Sequence, residues 1–235
     1  MRKKSRYSNN IPTARFSIRA VLRRCVAYFV TLSLMPVLLF RFLPVPSSTF
    51  MLYRHYEDLI IEHTYESIDY QWVSPGRISP NAAAAVIASE DQLFYDHFGF
   101  DLNAIKSAAN AYLNGNRKLR GASTISQQVA KNLFLTPAKS FFRKGLEAWF
   151  TLLIEIFWSK ERIMGVYLNI AEFGDHLFGI EAASQCYFNT SAKNITRSQA
   201  ALLAATLPNP LKLKADKPTA YVMSRQNWIL RQMRH

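Results

Sequence analysis

The feature that most constrains this chain is an uncharged apolar segment near its N-terminus. Residues 25–40 read CVAYFVTLSLMPVLLF, sixteen residues without a charge. A helix that crosses a bilayer needs about 20 apolar residues, and Arg41 can extend the segment because its long side chain reaches the polar interface. Pro36 lies inside the segment, where a membrane helix tolerates it. The segment is therefore predicted to be a membrane-spanning helix.

The positive charge of the chain is concentrated before this segment. Residues 1–24 contain eight cations and no Asp or Glu, so only +5 of the formal +13 remains for the rest. A body this mildly basic does not require a nucleic-acid partner. Because cationic residues stay on the cytoplasmic side, the N-terminus is predicted to be cytoplasmic and the chain from about Pro46 onward to be exported. The eight cations are Arg2, Lys3, Lys4, Arg6, Arg15, Arg19, Arg23 and Arg24.

Two other interpretations of the segment were weighed. A cleaved signal peptide has a short cationic region and an A-x-A site after its apolar run. Here the cationic region is long, and no A-x-A site follows the apolar run. A buried helix of a soluble protein would leave the eight cations unexplained. We therefore predict a basic cytoplasmic tail (1–24), a transmembrane anchor (25–45) and an exported domain (46–235).

Helical patterns dominate the exported part, and alternating strand patterns are nearly absent. Ser79 followed by Pro80 is a helix start signal, whereas Gly115 and Pro208 are stop signals. The fold class is therefore predicted to be mainly α, with a single domain after the anchor. Helical segments are expected at about 80–94, 100–114, 124–134, 138–158, 160–171, 179–188, 197–207 and 221–233.

The first candidate site is the segment ASEDQLFYDHFGFD, which contains Glu90. Ala83, Val86, Ile87 and Glu90 are spaced i, i+3, i+4, i+7 and so share one helix face. A carboxylate on an apolar face is partly desolvated, which suits a general base. The alternative is an ion pair with a cation across the core. His97 is expected to orient the following turn through a hydrogen bond instead of taking part in catalysis.

The second candidate site is the segment RGASTISQQVAKN. Gly121 permits a tight turn, and Ser123 is predicted to cap the helix that follows. Thr124, Gln128 and Lys131 then form one polar stripe. A helix N-terminus with a hydroxyl, an amide and an ammonium on one face can hold a phosphate. The alternative is an ordinary solvated helix face.

The third candidate site is the segment RKGLEAWF. Glu147 lies four residues after Arg143 and three after Lys144, so all three side chains can meet on one helix. A surface ion pair of this kind contributes only about 0.3–0.5 kcal/mol. An adjacent apolar stripe instead indicates a second active-site carboxylate; it consists of Leu146, Phe150, Leu153 and Phe157.

Together with KERIMGVYLN at 160–169 and FGIEAASQCYF at 178–188, these segments resemble the five ordered motifs of the peptidoglycan glycosyltransferase family. That family includes the glycan-polymerising domain of bifunctional penicillin-binding proteins and its stand-alone version. The motifs span about half the chain, and the order E-D-x-x-F-x-x-H-x-G, G-x-S-T-I-x-Q-Q-x-x-K-N, R-K-x-x-E is highly specific. One departure is Gly165, where the family usually has Glu. That Glu is not a catalytic carboxylate, so the change concerns local packing more than activity.

The resemblance implies a lysozyme-like helical domain that polymerises lipid II into β-1,4 glycan with inversion and release of undecaprenyl pyrophosphate. It implies that Glu90 is the general base for the GlcNAc 4-hydroxyl. Glu147 would be the second catalytic carboxylate and would organise cations around the pyrophosphate. The implied substrate-binding residues are Thr124, Gln127, Gln128, Lys131, Asn132, Arg143 and Lys144.

The resemblance also implies partners and location. No cofactor or protein-bound metal is required, although a divalent cation (Mg²⁺ or Mn²⁺) can join the cations at the pyrophosphate. The expected partners are lipid II, the growing glycan and lipids of the bacterial inner membrane. Cell-division or wall-synthesis proteins are further candidates, and nucleic acid is not expected. The catalytic domain is expected on the periplasmic side.

Transpeptidase activity is not expected, because no Ser in the chain has Lys three residues later, as S-x-x-K requires. Two other functions were considered. A lytic enzyme of lysozyme-like fold would also be helical and carboxylate-dependent, but it would not need cations and amides for a pyrophosphate. A non-enzymatic scaffold for wall synthesis would not need both glutamates within intact motifs.

Overall fold

The computed structural model describes residues 17–113, 123–138 and 140–233. The chain divides into two compact units, Met1–Pro36 and Val37–His235. Several sequence predictions lie outside the described residues: the cations Arg2, Lys3, Lys4, Arg6 and Arg15, the turn at Gly121 and the helix stop at Gly115.

The first helix, α1, runs from Ile18 to Phe40 and is long and apolar enough to cross a membrane. Its 23 residues correspond to about 34 Å, enough for a hydrocarbon core of about 30 Å. It begins seven residues before the uncharged run, so its first turns carry Arg19, Arg23 and Arg24. Most of its large apolar side chains are exposed, as expected for the membrane-spanning helix predicted from the sequence.

The mainly helical fold predicted from the sequence is confirmed. Each predicted helical segment contains an observed helix, with ends that differ by a few residues. The described helices after α1 are α2 (Thr49–Tyr56), a π-helix (Glu57–Glu62), a 3₁₀ turn (Pro75–Arg77), α3 (Pro80–Glu90), α4 (Leu102–Leu113), α5 (Ile125–Phe134), α6 (Phe141–Phe157), α7 (Lys160–Ile170), α8 (Ile180–Phe188), α9 (Arg197–Thr206) and α10 (Ala220–Gln232).

A small sheet was not predicted. Its order is β1-β3-β2, formed by Asp69–Tyr70, Leu177–Phe178 and Glu172–Gly174. Strand β1 pairs with β3 in parallel, and β2 pairs with β3 in antiparallel fashion. Strands of two or three residues are too short to produce an alternating pattern in the sequence.

Helix α7 lies at the centre of the domain, and every residue from Ile163 to Ile170 is buried. It contacts α3 and α5, while α5 also packs along α6. The helices that carry the three candidate segments therefore surround or adjoin one buried helix, which brings motifs distant in sequence close together.

The start of α5 differs from the prediction. Thr124, and not Ser123, is the N-cap: the Thr124 hydroxyl accepts the backbone N–H of Gln127, and the Gln127 side chain accepts the N–H of Thr124. This reciprocal pair is a capping box, which requires Glu or Gln three residues after the cap. Ser123 is followed at that distance by Ser126 and cannot form it.

Helix α3 ends at Glu90, earlier than the predicted end near Phe94. Asp91 leaves the helix with φ −161°. Its carboxylate accepts hydrogen bonds from the Ile125 backbone N–H (2.9 Å) and from His97 Nε2 (2.9 Å). These tertiary bonds draw the chain away from the helix axis.

Candidate active site

Glu90 is the last residue of α3 and lies at the edge of the core, with its side chain 16% exposed. Of the apolar stripe predicted for this helix, only Val86 is buried. The buried residues of the helix are Ala82, Ala85, Val86 and Ala88. Glu90 therefore stands beside the apolar face, where its carboxylate is partly shielded from water and still accessible.

Both oxygens of Glu90 have partners. Gln128 Nε2 donates to Oε2 (3.1 Å), and Ser89 Oγ donates to Oε1 (3.0 Å). Arg225 of α10 also approaches Oε1, at 3.5 Å. The ion-pair interpretation of Glu90 thus has a definite partner in the structure.

The orientation of the Gln128 amide is set by Tyr167, whose hydroxyl donates to Gln128 Oε1 (3.2 Å). Burial raises the pKa of Tyr167 well above its usual value, and the charge of Glu90 raises it further. The phenol therefore stays protonated and remains a donor. Sequence reasoning missed Tyr167 and Arg225. Tyr167 stands within the fourth motif, which was a signal for it, whereas Arg225 lies 135 residues from Glu90 and outside every motif.

Asp91 and His97 join the first motif to the second. The Asp91 carboxylate accepts one hydrogen bond from the backbone N–H of Ile125 and another from Nε2 of His97. It therefore fixes the N-terminus of α5 against the turn after α3. The hydrogen bond expected from His97 is therefore present, with Asp91 as its partner. Neither residue contacts Glu90 directly in the described hydrogen bonds.

Gly99 ends the first motif at a position that requires glycine. Its φ is +77°, and a Cβ there would lie 2.8 Å from Thr151 Cγ2 and 2.9 Å from Glu155 Cγ. The Gly99 carbonyl accepts the hydroxyl of Thr124 at 2.7 Å. This close approach of the turn to α6 holds motifs one, two and three together.

The polar residues predicted to bind substrate at the start of α5 and along it have different surroundings. Thr124 and Gln127 are buried and use their polar groups in the capping box and on Gly99. Gln128 instead meets Glu90. Asn132 Oδ1 is buried without a hydrogen-bond partner among the described residues, so it is free to accept a donor from a ligand.

Glu147 has the partners that its spacing predicts. Arg143 NH1 lies 2.8 Å from Oε2, and Lys144 Nζ contacts Oε1. The side chain of Glu147 is only 3% exposed, so the alternative of an exposed surface pair is wrong. The two cations are themselves more exposed than the carboxylate, and they can meet an anion without leaving Glu147.

Lys131 lies within the electrostatic influence of both glutamates. Burial lowers the pKa of Lys131; Glu147 and Glu90 act in the opposite direction, and Arg143 and Lys144 lower the pKa further. Its ammonium is 5.2 Å from the ring centroid of Phe50. Lys131 is therefore the residue that connects the surroundings of Glu90 with those of Glu147.

Helix α6 carries a second buried carboxylate, Glu155, which supports this arrangement and was not predicted. It accepts Ser126 Oγ and pairs with Lys160 Nζ (2.8 Å). Lys160 Nζ also lies 4.6 Å from the centroid of Phe94. Because Ser126 and Glu155 are 29 residues apart, no local spacing in the sequence signals the pair.

The departure at Gly165 has a packing reason. A Cβ on Gly165 would lie 2.6 Å from Cγ of Pro75 in the 3₁₀ turn. Asn169 holds the same turn in place, because its side chain bonds both the N–H and the carbonyl of Val73. A Glu at position 165 therefore has no room in this chain.

Beside Glu90 lies a cleft of about 230 Å³. It is lined by Glu90, Asp91, Gln92, Leu93, Asp101, Ala104, Ser123 and Thr124. A concave site next to a partly buried carboxylate is the usual setting of an active site.

The sequence was also compared with those of known proteins and protein families. The sequence profile of the family described as Transglycosylase matches residues 57–234. The chain belongs to this transglycosylase family. A biosynthetic peptidoglycan transglycosylase of Haemophilus influenzae is 52% identical over 197 residues, which cover 84% of this chain and 80% of that protein. One of Cronobacter sakazakii is 50% identical over 231 residues, covering 98% and 93%.

Within the described residues, the carboxylates of the two candidate glutamates already have partners. Both oxygens of Glu147 contact cations, and both oxygens of Glu90 accept hydrogen bonds.

Proposed function

We propose that this transglycosylase polymerises lipid II into β-1,4 glycan strands and releases undecaprenyl pyrophosphate. The observation that carries the proposal is the contrast between two glutamates, one on α3 and one on α6. Glu90 accepts hydrogen bonds from two neutral donors and has one cation at 3.5 Å, whereas Glu147 is buried between two closer cations. One setting suits proton transfer, and the other suits an anionic leaving group.

Glu90 accepts the proton of the GlcNAc 4-hydroxyl on the incoming lipid II. As it loses its proton, the oxygen of this hydroxyl attacks the anomeric carbon of the growing strand, and the bond from that carbon to the pyrophosphate breaks. Attack from the opposite face inverts α to β. The hydrogen bond from Gln128, itself fixed by Tyr167, keeps one carboxylate oxygen in a constant orientation, as efficient proton transfer requires.

The developing charge on the pyrophosphate is stabilised by Lys131, Arg143 and Lys144. A pyrophosphate is already a good leaving group, so fixed cations are more useful than a strong acid. Glu147 positions Arg143 and Lys144 on α6. Thr124, Gln127 and Asn132 belong to the same proposed donor site, the first two as supports of the α5 N-terminus.

Attachment to the inner membrane fits this substrate, since both reacting molecules carry lipid tails. Phe141 and Phe142, at the start of α6, are exposed, and exposed aromatic residues favour a membrane interface. We propose a cytoplasmic N-terminus, a single span in α1 and a periplasmic catalytic domain. Wall-synthesis or division proteins are proposed partners, and transpeptidation is not part of the function because S-x-x-K is absent.

The test is incubation of the detergent-solubilised protein with labelled lipid II, followed by lysozyme digestion. A lysozyme-sensitive polymer and free undecaprenyl pyrophosphate are expected. Shortening of preformed glycan without polymer would support the lytic alternative, and no reaction with either substrate would support the scaffold.

The base assignment is tested with Glu90→Gln, which keeps the shape and removes the basicity. Turnover should fall by at least ~10²-fold, the scale of general-base catalysis, while binding of lipid II persists. Asp96→Asn is the matched control, because Asp96 is an exposed carboxylate of the same motif, and it should polymerise normally. Polymerisation by Glu90→Gln at the wild-type rate would instead assign Glu90 to an ion pair with Arg225.

A further inference from the structure

A second group of ionisable side chains lies on elements that do not carry Glu90 or Glu147. Asp175 and His176 form the turn between β2 and β3, and Glu66 precedes β1. The two segments are joined at the backbone, since the N–H of Asp69 donates to the carbonyl of His176 (2.8 Å). One atom from each of the three side chains lies within 4.8 Å of the others.

His176 is held in an unusual and constrained position. Its φ is +53°, and it is only 8% exposed. Its Nε2 lies 3.1 and 3.0 Å from the two oxygens of Asp58, which is itself buried. A carboxylate accepts only, so Nε2 carries the proton. An imidazole whose second nitrogen bonds a buried carboxylate is the usual arrangement behind a metal-binding histidine.

The other ring nitrogen of His176, Nδ1, is buried and makes no hydrogen bond to any described residue. Nδ1 faces Asp175 Oδ1 at 3.1 Å and Glu66 Oε2 at 3.5 Å. With the proton on Nε2, these three atoms present lone pairs to one another. For a neutral imidazole this arrangement is repulsive unless a cation lies between the three atoms.

We propose that Glu66, Asp175 and His176 bind a divalent transition-metal ion, with Zn²⁺ as the best match. Ligands at about 2.0–2.2 Å around a tetrahedral ion lie about 3.3–3.6 Å from one another. The separation of 3.5 Å between Nδ1 and Glu66 falls in this range, and the separation of 3.1 Å between Nδ1 and Asp175 is slightly shorter. One imidazole and two carboxylates form a donor set that suits zinc and metals of similar preference. This inference goes beyond the proposed function.

The site is open on one side. The carboxylates of Glu66 and Asp175 are 66% and 57% exposed, and the three residues border a cleft of about 420 Å³. The ion can therefore enter from solvent and complete its coordination with water. Once bound, it ties the segment before β1 to the β2–β3 turn and stabilises the folded state by mass action.

The test is calorimetric titration of the full-length, chelator-treated protein in detergent with Zn²⁺ alone. We expect saturable binding of one ion and a rise in Tm. His176→Asn should weaken binding at least ~10-fold and abolish the Tm rise, since asparagine tolerates positive φ but offers no imidazole. His63→Asn is the matched control: His63 also has φ +53°, is exposed and should be without effect.

Glu66→Gln provides a second test, because an exposed side chain can be changed without affecting folding. It should weaken Zn²⁺ binding while polymerisation of lipid II continues at the wild-type rate, which separates this site from the proposed function. The proposal is overturned if the wild-type protein binds no Zn²⁺ at one equivalent, or if His176→Asn and Glu66→Gln bind it as the wild type does.

Discussion

The two candidate catalytic glutamates differ in what surrounds them, and sequence spacing revealed only one of these environments. Glu147 pairs with Arg143 and Lys144 within one helix turn, and a separation of three or four residues is sufficient to predict that. Glu90 meets Gln128 across 38 residues, a contact that depends on how α3 and α5 pack around α7. Local spacing therefore predicted that Glu147 pairs with Arg143 and Lys144, but it did not predict that the Gln128 amide contacts Glu90.

Glu147→Gln should lower turnover and raise KM for the growing, pyrophosphate-linked strand. The amide keeps the shape of the carboxylate, but Arg143 and Lys144 lose the charge that holds them in place. We expect kcat/KM to fall by about 10²-fold, measured from initial rates of polymerisation. Glu161→Gln, at an exposed glutamate of α7, is the control. An unchanged KM with reduced kcat would assign Glu147 to the chemical step alone.

Lys131 should determine the alkaline limit of activity. Burial lowers its pKa below the usual 10.5, so the ammonium loses its proton, and kcat/KM falls, at a lower pH than for an ordinary lysine. Between the lowered value and 10.5 the unfolded state binds more protons, so the free energy of unfolding rises with pH in that window. Lys131→Arg, whose guanidinium stays charged, should move the limit to higher pH, whereas Lys193→Arg, at an exposed lysine, should not. An identical pH profile for Lys131→Arg would exclude this role.

Among the helices, the interiors were predictable from the sequence and the ends were less so. Start signals at Ser79–Pro80 and Ser123 led to the prediction of α3 and α5, and an apolar stripe led to the prediction of α6. Ends depend on single hydrogen bonds, such as those that Asp91 makes outside its helix. Helix α2 and the π-helix after it were missed, because the eight-residue α2 leaves too short a periodic pattern.

Gly165→Ala should destabilise the domain although it removes a helical glycine. Alanine favours the helical conformation over glycine by about 1 kcal/mol, which would stabilise the folded state. The added Cβ, however, would lie 2.6 Å from the Pro75 ring. Overpacking of this kind costs about 1–3 kcal/mol, so a net loss of about 1 kcal/mol is expected in denaturant unfolding. Gly145→Ala is the matched control: it is also within a helix, but its Cβ would meet nothing within 4 Å.

The Pro75 contact can be isolated with a double-mutant cycle. Pro75→Ala removes the Cγ that blocks position 165, so Gly165→Ala should cost less in that background than in the wild type. Equal costs in both backgrounds would show that Pro75 is not the reason for glycine at this position.

At the scale of the whole molecule, long-range contacts complete what the motifs begin. Arg225 of α10 reaches Ser89 and Glu90 from a helix that contains none of the five motifs. Glu155 joins α5, α6 and α7 through Ser126 and Lys160. Contacts of this kind depend on the packing of helices far apart in sequence, and a single sequence provides no signal for them. The family could be predicted from the sequence, whereas these long-range contacts of the candidate site could not.

Attachment of the chain to a membrane is the prediction that follows from its first forty residues. Helix α1 has exposed apolar side chains and a span of about 34 Å, and the cations lie on its N-terminal side, so the domain after it should be exported. A phosphatase that is active only in the periplasm, fused after His235, should be active, while a fluorescent protein that matures only in the cytoplasm should stay dark. The full-length chain should remain in the membrane fraction after a carbonate wash. A soluble form shortened by about 45 residues would instead identify α1 as a cleaved signal peptide, and an inactive phosphatase would reverse the topology.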